Sequence, residues 1–498
     1  MIFYPMEDPE PLASGFGSRT WALCPWLRPA RRVNLFLLLL MAGVCFTVLF
    51  AARARADRSL LAEGVVACNM EDQEKSLSER SYRGEEGILR IRPDIARTFG
   101  LRVIADKDYE KARDLYEQVD QFFEQALEAL VEGDVATLGK AALSYNRSRD
   151  TAYRLLMAYR ERLDPSKDER LSREVCLGLL NRILEASLRE TSYNLRDALA
   201  RFYNKCQGLE EDLAPLNVEN VTFVNRVFND FVARASPKAK ARFDLDKGTR
   251  NRVSNPGSAW KRVVDKAGLP YVPLVERVLE ARGKEGYPLD PLLFLALIKR
   301  ESNFDPSAVS YVGAVGLTQI MPNTAEGLGM KQIFKPPYFD KARKLLVQER
   351  RLKHRAVSLI SQITKENRAA YAKKARGLMK KSLARGRARA KLFSRYRNEL
   401  LKNNEDDRLD PYKAIAHGFE YLSEMMRLQN GDVSLALASY NAGPHRVRQY
   451  KGIPPFQETV TFRNVVLGFY RDYLLRLQAY QAGSKGRQEQ LGVRRSGL

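Results

Sequence analysis

Histidine and cysteine are scarce in this 498-residue chain, which contains three histidines and five cysteines. Neither CxxC nor HxxxH spacing occurs, so the sequence argues against a structural zinc site and against a zincin-type metalloenzyme. Cys24 and Cys45 lie at or before a long apolar run. Cys176 and Cys206 leave two alternatives open, a disulfide if the chain is exported or two buried thiols in helices.

Acidic residues are scarce in one segment only. The chain carries 83 Lys and Arg against 60 Asp and Glu, a formal net charge of +23. Residues 331–404 hold 23 of the basic residues and four of the acidic ones, so most of the surplus lies there. With 45% hydrophobic and 29% charged residues, the composition excludes a collagen, a wholly disordered protein and a multi-span membrane protein. The length predicts roughly three folded units.

A single long uncharged run, residues 33–52, follows several arginines near the N-terminus. Its length matches the roughly 20 residues that a helix needs to cross a bilayer. We interpret 33–56 as an uncleaved signal anchor after a short segment 1–32; the alternative is a signal peptide cleaved after Ala56. A third alternative is a bacterial lipobox ending at Cys68. Each of these alternatives places the bulk of the chain outside the cytoplasm.

Helical periodicity dominates the rest of the chain and predicts an all-α fold. Within 57–235, apolar residues recur every three or four positions from Ala112 to Leu130, and Gly133 ends that helix. No 34-residue repeat is present, so a tetratricopeptide array is not predicted. We interpret 57–235 as a helical scaffold or partner-binding domain, and 236–264 as a linker.

The basic segment 331–404 is also predicted to be helical, because Leu345, Leu352 and Leu359 are spaced by seven. It is either a helical hairpin with a solvated charged face or a surface for anionic lipid or polymer. Nucleic acid is electrostatically allowed but not expected, since an exported chain rarely meets it and no nucleic-acid-binding motif accompanies the charge. Residues 481–498 form a basic tail.

The strongest candidate for chemistry is Glu301. Asp290 and Pro291 start a helix that is apolar on almost all sides and is therefore expected to be buried. Glu301 shares a face with Phe294 and Leu297. Loss of solvation and the negative end of the helix dipole should both raise the pKa of its carboxyl, as a general acid near neutral pH requires. The spacing predicts that Lys299 and Arg300 point away from that face.

Three further motifs follow Glu301 in a set order. Gly316–Pro322 has the sequence GLTQIMP, Ala438–Pro444 has ASYNAGP, and Glu458 is followed by threonine. Together with Glu301-Ser302, these motifs resemble the soluble lytic transglycosylase (SLT) domain, a lysozyme-like and mostly helical fold. The resemblance covers 265–330 and 405–480 and makes 331–404 an insertion.

The resemblance implies a role for each matching residue. Glu301 corresponds to the single catalytic acid, which protonates the glycosidic oxygen and then acts as a base. Ser310 corresponds to a hydroxyl that supports the acetamido group or the reacting Glu, and Tyr440 to a hydroxyl that hydrogen-bonds the catalytic carboxylate. The residues that correspond to the glycan-binding cleft are Gln319, Met321, Asn441 and Glu458. Ser302 is expected to be structural.

Three positions depart from the family pattern. Thr318 stands where the family commonly has Met, Phe462 where it has Tyr, and Ala414 where it has Asn. None of these positions is the acid itself.

The implied reaction cuts peptidoglycan between MurNAc and GlcNAc, leaves a 1,6-anhydro-MurNAc end and requires no metal or cofactor. Ordinary glycosidases need two carboxylates, whereas one acid suits attack by the substrate's own 6-hydroxyl. Two alternatives remain: a hydrolytic muramidase with Glu458 or Asp432 as second carboxylate, and an inert glycan-binding or assembly module. We expect peptidoglycan as the substrate, and a location at the extracytoplasmic face of a bacterial inner membrane, anchored by the N-terminal segment.

Overall fold

The computed structural model describes residues 59–78, 82–209, 215–245, 257–282 and 287–495. Over these ranges it contains helices, turns and isolated β-bridges but no strand, so the all-α prediction is confirmed. The predicted segments 1–32 and 33–56 lie outside the described residues. None of the helices in the described ranges is long and apolar enough to cross a membrane.

The first half of the described chain is built from eight helices within these ranges. They are α1 (59–78), α2 (Pro93–Thr98), α3 (Lys107–Glu132), α4 (Val135–Glu161), α5 (Arg173–Glu190), α6 (Leu195–Gln207), α7 (Val221–Arg234) and α8 (Pro237–Lys240). Gly133 ends α3 in the left-handed conformation, as predicted, and Asp134 then caps α4, so the two long helices form a hairpin. The core of this half is formed by α1, α5, α6 and α7.

The second half surrounds one buried helix, α10. The helices are α9 (Val272–Arg282), α10 (Pro291–Ser302), α11 (Pro322–Gly327), α12 (Pro337–Ser358), α13 (Arg368–Asn403), α14 (Pro411–Leu428), α15 (Val433–Ala442), α16 (Pro444–Gln449) and α17 (Gln457–Arg495). Asp290 caps α10 through the Leu292 N–H, as the sequence predicts. Every residue from Leu292 to Ile298 is at most 3% exposed, because α14, α15 and α17 pack around the helix.

The basic segment 331–404 consists mainly of the α12–α13 hairpin, which packs on the α3–α4 hairpin. Small and apolar residues such as Ala372 and Ala375 form the contact. The Asn146 amide of α4 donates hydrogen bonds of 3.0 Å to the Ile360 and Ile363 carbonyl oxygens. Most of the positive charge lies on the faces that point away from this contact.

Three interpretations made from the sequence concern residues that are buried in the structure. Val65 and Cys68 belong to α1 and are 0% and 5% exposed, so the lipobox interpretation is wrong, because a lipid-modified cysteine needs an accessible thiol. Cys176 and Cys206 are buried free thiols, which is the second of the two alternatives for them. The interpreted linker 236–264 contains Trp260, which lies in the same core as α10.

Candidate active site

Glu301 is placed by the last turn of α10. Asn303 ends the helix in the left-handed conformation with φ 50°. The Ser302 hydroxyl donates to the Ile298 carbonyl oxygen at 3.2 Å, so Ser302 has the structural position that was expected. Among the described residues, none forms a hydrogen bond or an ion pair with the Glu301 carboxylate. Glu301 is therefore held by its helix rather than by a polar partner.

The surroundings of Glu301 favour its protonated form. Burial raises the pKa of Glu301 to about 8; Arg300 lowers it, and the Glu458 carboxylate raises it. The spacing predicts only the direction of the Arg300 side chain, and the field of its guanidinium acts on Glu301 even when the side chain points elsewhere. Arg300 instead lies over the Phe462 ring at 5.9 Å. Lys299 forms an ion pair with Asp265 at 2.7 Å.

The loop between α10 and α11 faces the acid and is shaped by two glycines. Gly313 and Gly316 have φ angles of 93° and 80°, which only glycine adopts without strain. A Cβ atom on Gly316 would lie 1.9 Å from the Arg408 carbonyl oxygen, so no other residue fits there. Val315 and Ile320 pair across the turn as an isolated antiparallel bridge. The backbone path of the loop is therefore fixed.

A buried ion pair that no sequence pattern predicts supports this loop. Asp406 and Arg408 are joined by hydrogen bonds of 2.9 and 2.7 Å, and both side chains are completely buried. Arg408 also donates to the Ile320 carbonyl oxygen at 3.2 Å and to the Tyr396 hydroxyl at 2.8 Å. The pair thus connects the loop to α13 of the basic hairpin.

The three predicted site residues on the loop have different neighbours. The Ser310 hydroxyl oxygen accepts from the Ala314 N–H at 2.9 Å and leaves its own proton available. Gln319 has φ 46°, and its amide nitrogen donates to the carbonyl oxygens of Ala308 and Gly316 at 3.0 and 2.8 Å. Met321 is half-buried against the base of the α12–α13 hairpin.

Tyr440 lies beside Glu301 but directs its proton elsewhere. Its hydroxyl donates to the Thr318 carbonyl oxygen at 2.8 Å rather than to the carboxylate. Burial raises the pKa of Tyr440 well above its usual range, and the Glu301 charge raises it further. The ring contacts Tyr421 at 4.9 Å and stacks on Phe462 at 6.5 Å. Tyr440 therefore joins α15 to the loop that faces the acid.

Asn441 and Glu458 complete the set at the end of α15 and the start of α17. The Asn441 amide oxygen accepts from the Thr459 hydroxyl at 2.9 Å. Glu458 is exposed in the first turn of α17, and its charge reaches Glu301. The structure thus brings Glu301, Tyr440 and Glu458 within electrostatic reach of one another, and Tyr440 connects them to the loop that carries Ser310, Gln319 and Met321.

Two of the three departures from the family pattern touch each other. The Thr318 hydroxyl donates to the Ala414 carbonyl oxygen at 2.9 Å. Gly418 leaves room for this contact, because a Cβ atom there would lie 2.5 Å from Thr318 Cγ2. The shorter side chains at 318 and 414 are therefore part of one local packing arrangement.

Two other carboxylates near the motifs are engaged in structure. Asp305 accepts from the Ser307 N–H at 2.8 Å and closes the turn after α10. Asp432 forms hydrogen bonds of 3.0 and 2.7 Å with Arg196 and also caps α15. Among the described residues, no group of three His, Cys, Asp or Glu side chains could hold a metal ion.

The family model of the transglycosylase SLT domain matches this part of the chain in two overlapping segments, residues 279–346 and 340–462. Residues 279–462 are thus similar to a transglycosylase SLT domain, and we refer to them below as the SLT domain. The match includes Glu301, the loop, the α12–α13 hairpin and the Tyr440–Asn441 pair.

Curated relatives align over a short segment of the SLT domain. Membrane-bound lytic murein transglycosylase C of Haemophilus influenzae (strain PittEE) is 38% identical over 55 residues, which is 11% of this chain and 14% of that protein. The protein of the same name from Histophilus somni (strain 2336) is 42% identical over 55 residues, with the same shares. The chain therefore spans about a seventh of these relatives.

A solved lytic transglycosylase Slt from Pseudomonas aeruginosa aligns with 87% of this chain and 76% of its own length. Its sequence identity is 15% and its TM-score is 0.26. A TM-score this low does not relate the two folds as wholes.

Proposed function

We propose that the protein is a peptidoglycan lytic transglycosylase that cuts the β-1,4 bond between MurNAc and GlcNAc. The observation that carries the proposal is the Glu301 carboxyl, which lies in the SLT domain with a pKa raised to about 8 by burial. Such a group holds a proton near neutral pH and can deliver it to a leaving oxygen. The relatives with aligned segments are named lytic murein transglycosylases.

A single carboxyl accounts for the whole reaction. Glu301 gives its proton to the glycosidic oxygen, and the C1–O bond breaks so that the GlcNAc side leaves with a 4-hydroxyl. The resulting carboxylate then takes the proton of the MurNAc 6-hydroxyl as that oxygen bonds to C1. The product is a 1,6-anhydro ring, no water is consumed, and Glu301 returns to its protonated form. The N-acetyl group of the substrate assists the departure.

The remaining site residues bind the substrate or support the acid. Gln319 and Met321 line the cleft beside the loop, and Asn441 and Glu458 line it from α15 and α17. The Ser310 hydroxyl still has its proton to donate, which fits an acetamido oxygen or the reacting carboxylate. Tyr440 supports the acid by holding the loop through Thr318.

Peptidoglycan as the substrate implies a location in the bacterial cell envelope, on the extracytoplasmic side. The uncharged run 33–52 is proposed to anchor the chain in the inner membrane. The exposed positive faces of the α12–α13 hairpin are available to anionic lipid or polymer.

The test is mass spectrometry of the muropeptides that the full chain releases from purified peptidoglycan. The matched control is Glu301→Gln, which keeps the size of the side chain and removes the proton that it donates. Products one water lighter than hydrolysed muropeptides, and absent with the variant, would support the proposal.

Other outcomes point to the alternatives. Products with ordinary reducing ends would make the protein a hydrolase and would direct attention to Glu458, since Asp432 is already bound to Arg196. No products from either chain would indicate a glycan-binding or assembly module.

A further inference from the structure

The loop of the SLT domain has a counterpart in the first half of the chain. Residues 82–93 read YRGEEGILRIRP, and residues 311–322 read YVGAVGLTQIMP. A constant offset of 229 relates the tyrosine, both glycines, the isoleucine and the proline. The offset is far longer than the repeat lengths of ordinary helical arrays, which are 20–50 residues.

The backbone of the two loops follows the same path. Gly84 and Gly313 have φ angles of 92° and 93°, and Arg90 and Gln319 have φ angles of 48° and 46°. Glu86 pairs with Ile91 across the first loop, as Val315 pairs with Ile320 across the second. A left-handed residue that is not glycine is uncommon, so its recurrence at the matched position is a specific similarity.

The support beneath the loops is also the same. Asp168 and Arg170 are completely buried and joined by hydrogen bonds of 2.9 and 2.7 Å, the two distances found for Asp406 and Arg408. Arg170 donates to the Ile91 carbonyl oxygen at 3.2 Å and to a tyrosine of α4, as Arg408 does to Ile320 and to a tyrosine of α13. A Cβ atom on Gly87 would lie 1.8 Å from the Arg170 carbonyl oxygen.

The similarity continues to α7 in the first half and α17 in the second. Residues 219–227 read ENVTFVNRV at the start of α7, and residues 458–466 read ETVTFRNVV at the start of α17. The Asn225 amide donates to the Ile453 carbonyl oxygen at 2.8 Å, and the Asn464 amide donates to the Leu216 carbonyl oxygen at 2.6 Å. An asparagine of each half thus donates a hydrogen bond to the matching loop of the other half. This reciprocal pattern is typical of a two-fold contact.

We infer that residues 59–234 are a second copy of the SLT fold, and that its cleft binds a glycan strand of peptidoglycan without cutting it. The inference rests on the proposed function, because the ligand class is taken from the domain that carries Glu301. It assigns a role to the half of the chain in which the sequence showed no chemistry.

At the position of Glu301, the first copy has a carboxylate that is paired with arginines. The offset of 229 places Asp72 where the SLT domain has Glu301. The Asp72 carboxylate accepts a hydrogen bond from Arg226 of α7 and lies 3.7 Å from Arg90. Glu71, the neighbouring carboxylate, forms an ion pair with the same Arg226 at 3.0 Å. Asp72 and Glu71 are therefore both paired with guanidinium groups, and neither carboxylate is available as a general acid.

The other features of a glycan cleft are retained around Asp72. Tyr203 and Asn204 repeat the Tyr440–Asn441 pair, and the Asn204 amide oxygen accepts from Asn220 at 2.9 Å, as Asn441 accepts from Thr459. Burial raises the pKa of Tyr203 to about 12, while the charge of Arg90 lowers it and the charges of Asp72 and Glu219 raise it.

One accessible donor of this cleft has no partner among the described residues. The Tyr203 hydroxyl forms no hydrogen bond with the described residues. A half-exposed tyrosine hydroxyl with an unused proton suits a sugar, whose hydroxyl and acetamido oxygens accept hydrogen bonds.

The test counts binding sites on the full chain carrying Glu301→Gln, which should not cut its ligand. The probe is a soluble octasaccharide of alternating GlcNAc and MurNAc, and the measurement is isothermal titration calorimetry. We expect two octasaccharides bound per chain. Adding Arg90→Gln, which copies the residue of the second loop, or Tyr203→Ala should reduce the number to one.

Matched controls separate binding from folding. Arg154→Gln makes the same change on the exposed surface of α4 and should leave two sites. Thermal unfolding of each variant should remain cooperative, with a midpoint well above the temperature of the titration, although Arg90→Gln breaks the pair with Asp72 and Tyr203→Ala removes the ring contact with Phe223. One octasaccharide per chain before Arg90 or Tyr203 is changed, or none at all, would overturn the inference. The reaction of the unmodified chain with the same octasaccharide tests the proposed function separately, because 1,6-anhydro products depend on Glu301 and not on the first copy.

Discussion

The two halves of the molecule hold a carboxylate at matching places, but the hydrogen-bond and ion-pair partners of the two carboxylates differ. Glu301 ends an apolar helix without a polar partner among the described residues, and burial raises its pKa to about 8. Asp72 is held by Arg226 and Arg90. The comparison teaches that the fold alone does not supply a general acid. A carboxyl becomes a general acid when the surrounding residues exclude water and keep positive charge away from it.

The supporting structure, in contrast, is nearly identical in the two halves. Both loops rest on a buried Asp–Arg pair, and both pairs make hydrogen bonds of 2.9 and 2.7 Å. The buried Asp–Arg pairs therefore stabilise the loops and take no direct part in the reaction, because the first half retains its pair although it has no general acid. The difference between the halves can therefore be tested by changing the acids and the supports separately.

The largest expected effect comes from the two acids. Glu301→Gln should lower the rate of cleavage about 10²–10⁴-fold, because general acid–base catalysis contributes about that much. Because the pKa of Glu301 is about 8 in the folded chain and near 4.5 when exposed, its contribution to stability is lost as the pH rises through 8. The Gln variant should thus be more stable than the parent above pH 8, by roughly 1–3 kcal/mol after allowance for partial exposure. Muropeptide release and chemical denaturation measure the two effects.

Asp72→Asn should lower the stability of the protein, in contrast to Glu301→Gln. The change leaves Arg226 and Arg90 without their shared carboxylate, so the free energy of unfolding should fall by about 1–3 kcal/mol. An equal loss of stability in Glu301→Gln would contradict the contrast between the two carboxylates.

The next effect concerns the two buried supports. Arg408→Met and Arg170→Met each leave a buried aspartate unpaired and should each cost about 3–5 kcal/mol of unfolding free energy. Arg113→Met, which breaks the exposed pair between Arg113 and Asp114 at 3.1 Å, is the control and should cost about 1 kcal/mol or less. If one buried pair proved dispensable and the other did not, the two loops would not have equivalent supports.

A smaller effect is expected at Tyr440. Tyr440→Phe keeps the ring against Phe462 and removes the hydrogen bond to the Thr318 carbonyl oxygen. The loss of one such bond is about 0.5–1.5 kcal/mol, so the rate should fall about 2- to 10-fold, far less than with Glu301→Gln. Complete loss of cleavage would mean that the hydroxyl takes part in the reaction itself.

The sequence predicted the elements that depend on local patterns. The all-α class, the capped helix from Asp290 and the end of α3 at Gly133 follow from periodicity and capping, and the structure contains them. The four ordered motifs also indicated the SLT domain. These features involve residues close together in the chain, where spacing determines geometry.

Features that depend on distant residues were missed. Arg408 supports a loop some 90 positions earlier, and no local pattern relates the two. The second copy was missed because a search for short repeats does not detect an offset near 230. The copies share mainly positions that shape the backbone, such as Gly84 and Gly313, while the residues that carry chemistry differ. The effect of Arg300 on Glu301 was missed because helical spacing gives the direction of a side chain but not the reach of its charge.

The smallest effects concern the two charges that act on Glu301 in opposite directions. Because the reaction needs the protonated acid, kcat/KM should fall above a pH near 8, with a slope of about tenfold per pH unit. Arg300→Met removes the charge that lowers the pKa of Glu301, so the fall should move to higher pH. Glu458→Gln removes the charge that raises the pKa, so the fall should move to lower pH. Each displacement should be roughly 0.3–1 pH unit, the size expected for single charges near the protein surface. The readout is the midpoint of the pH profile rather than the rate at one pH, because Glu458 also lines the cleft and its loss can weaken substrate binding without moving the midpoint. Displacement of both midpoints in the same direction would show that another group, and not Glu301, sets the alkaline limit.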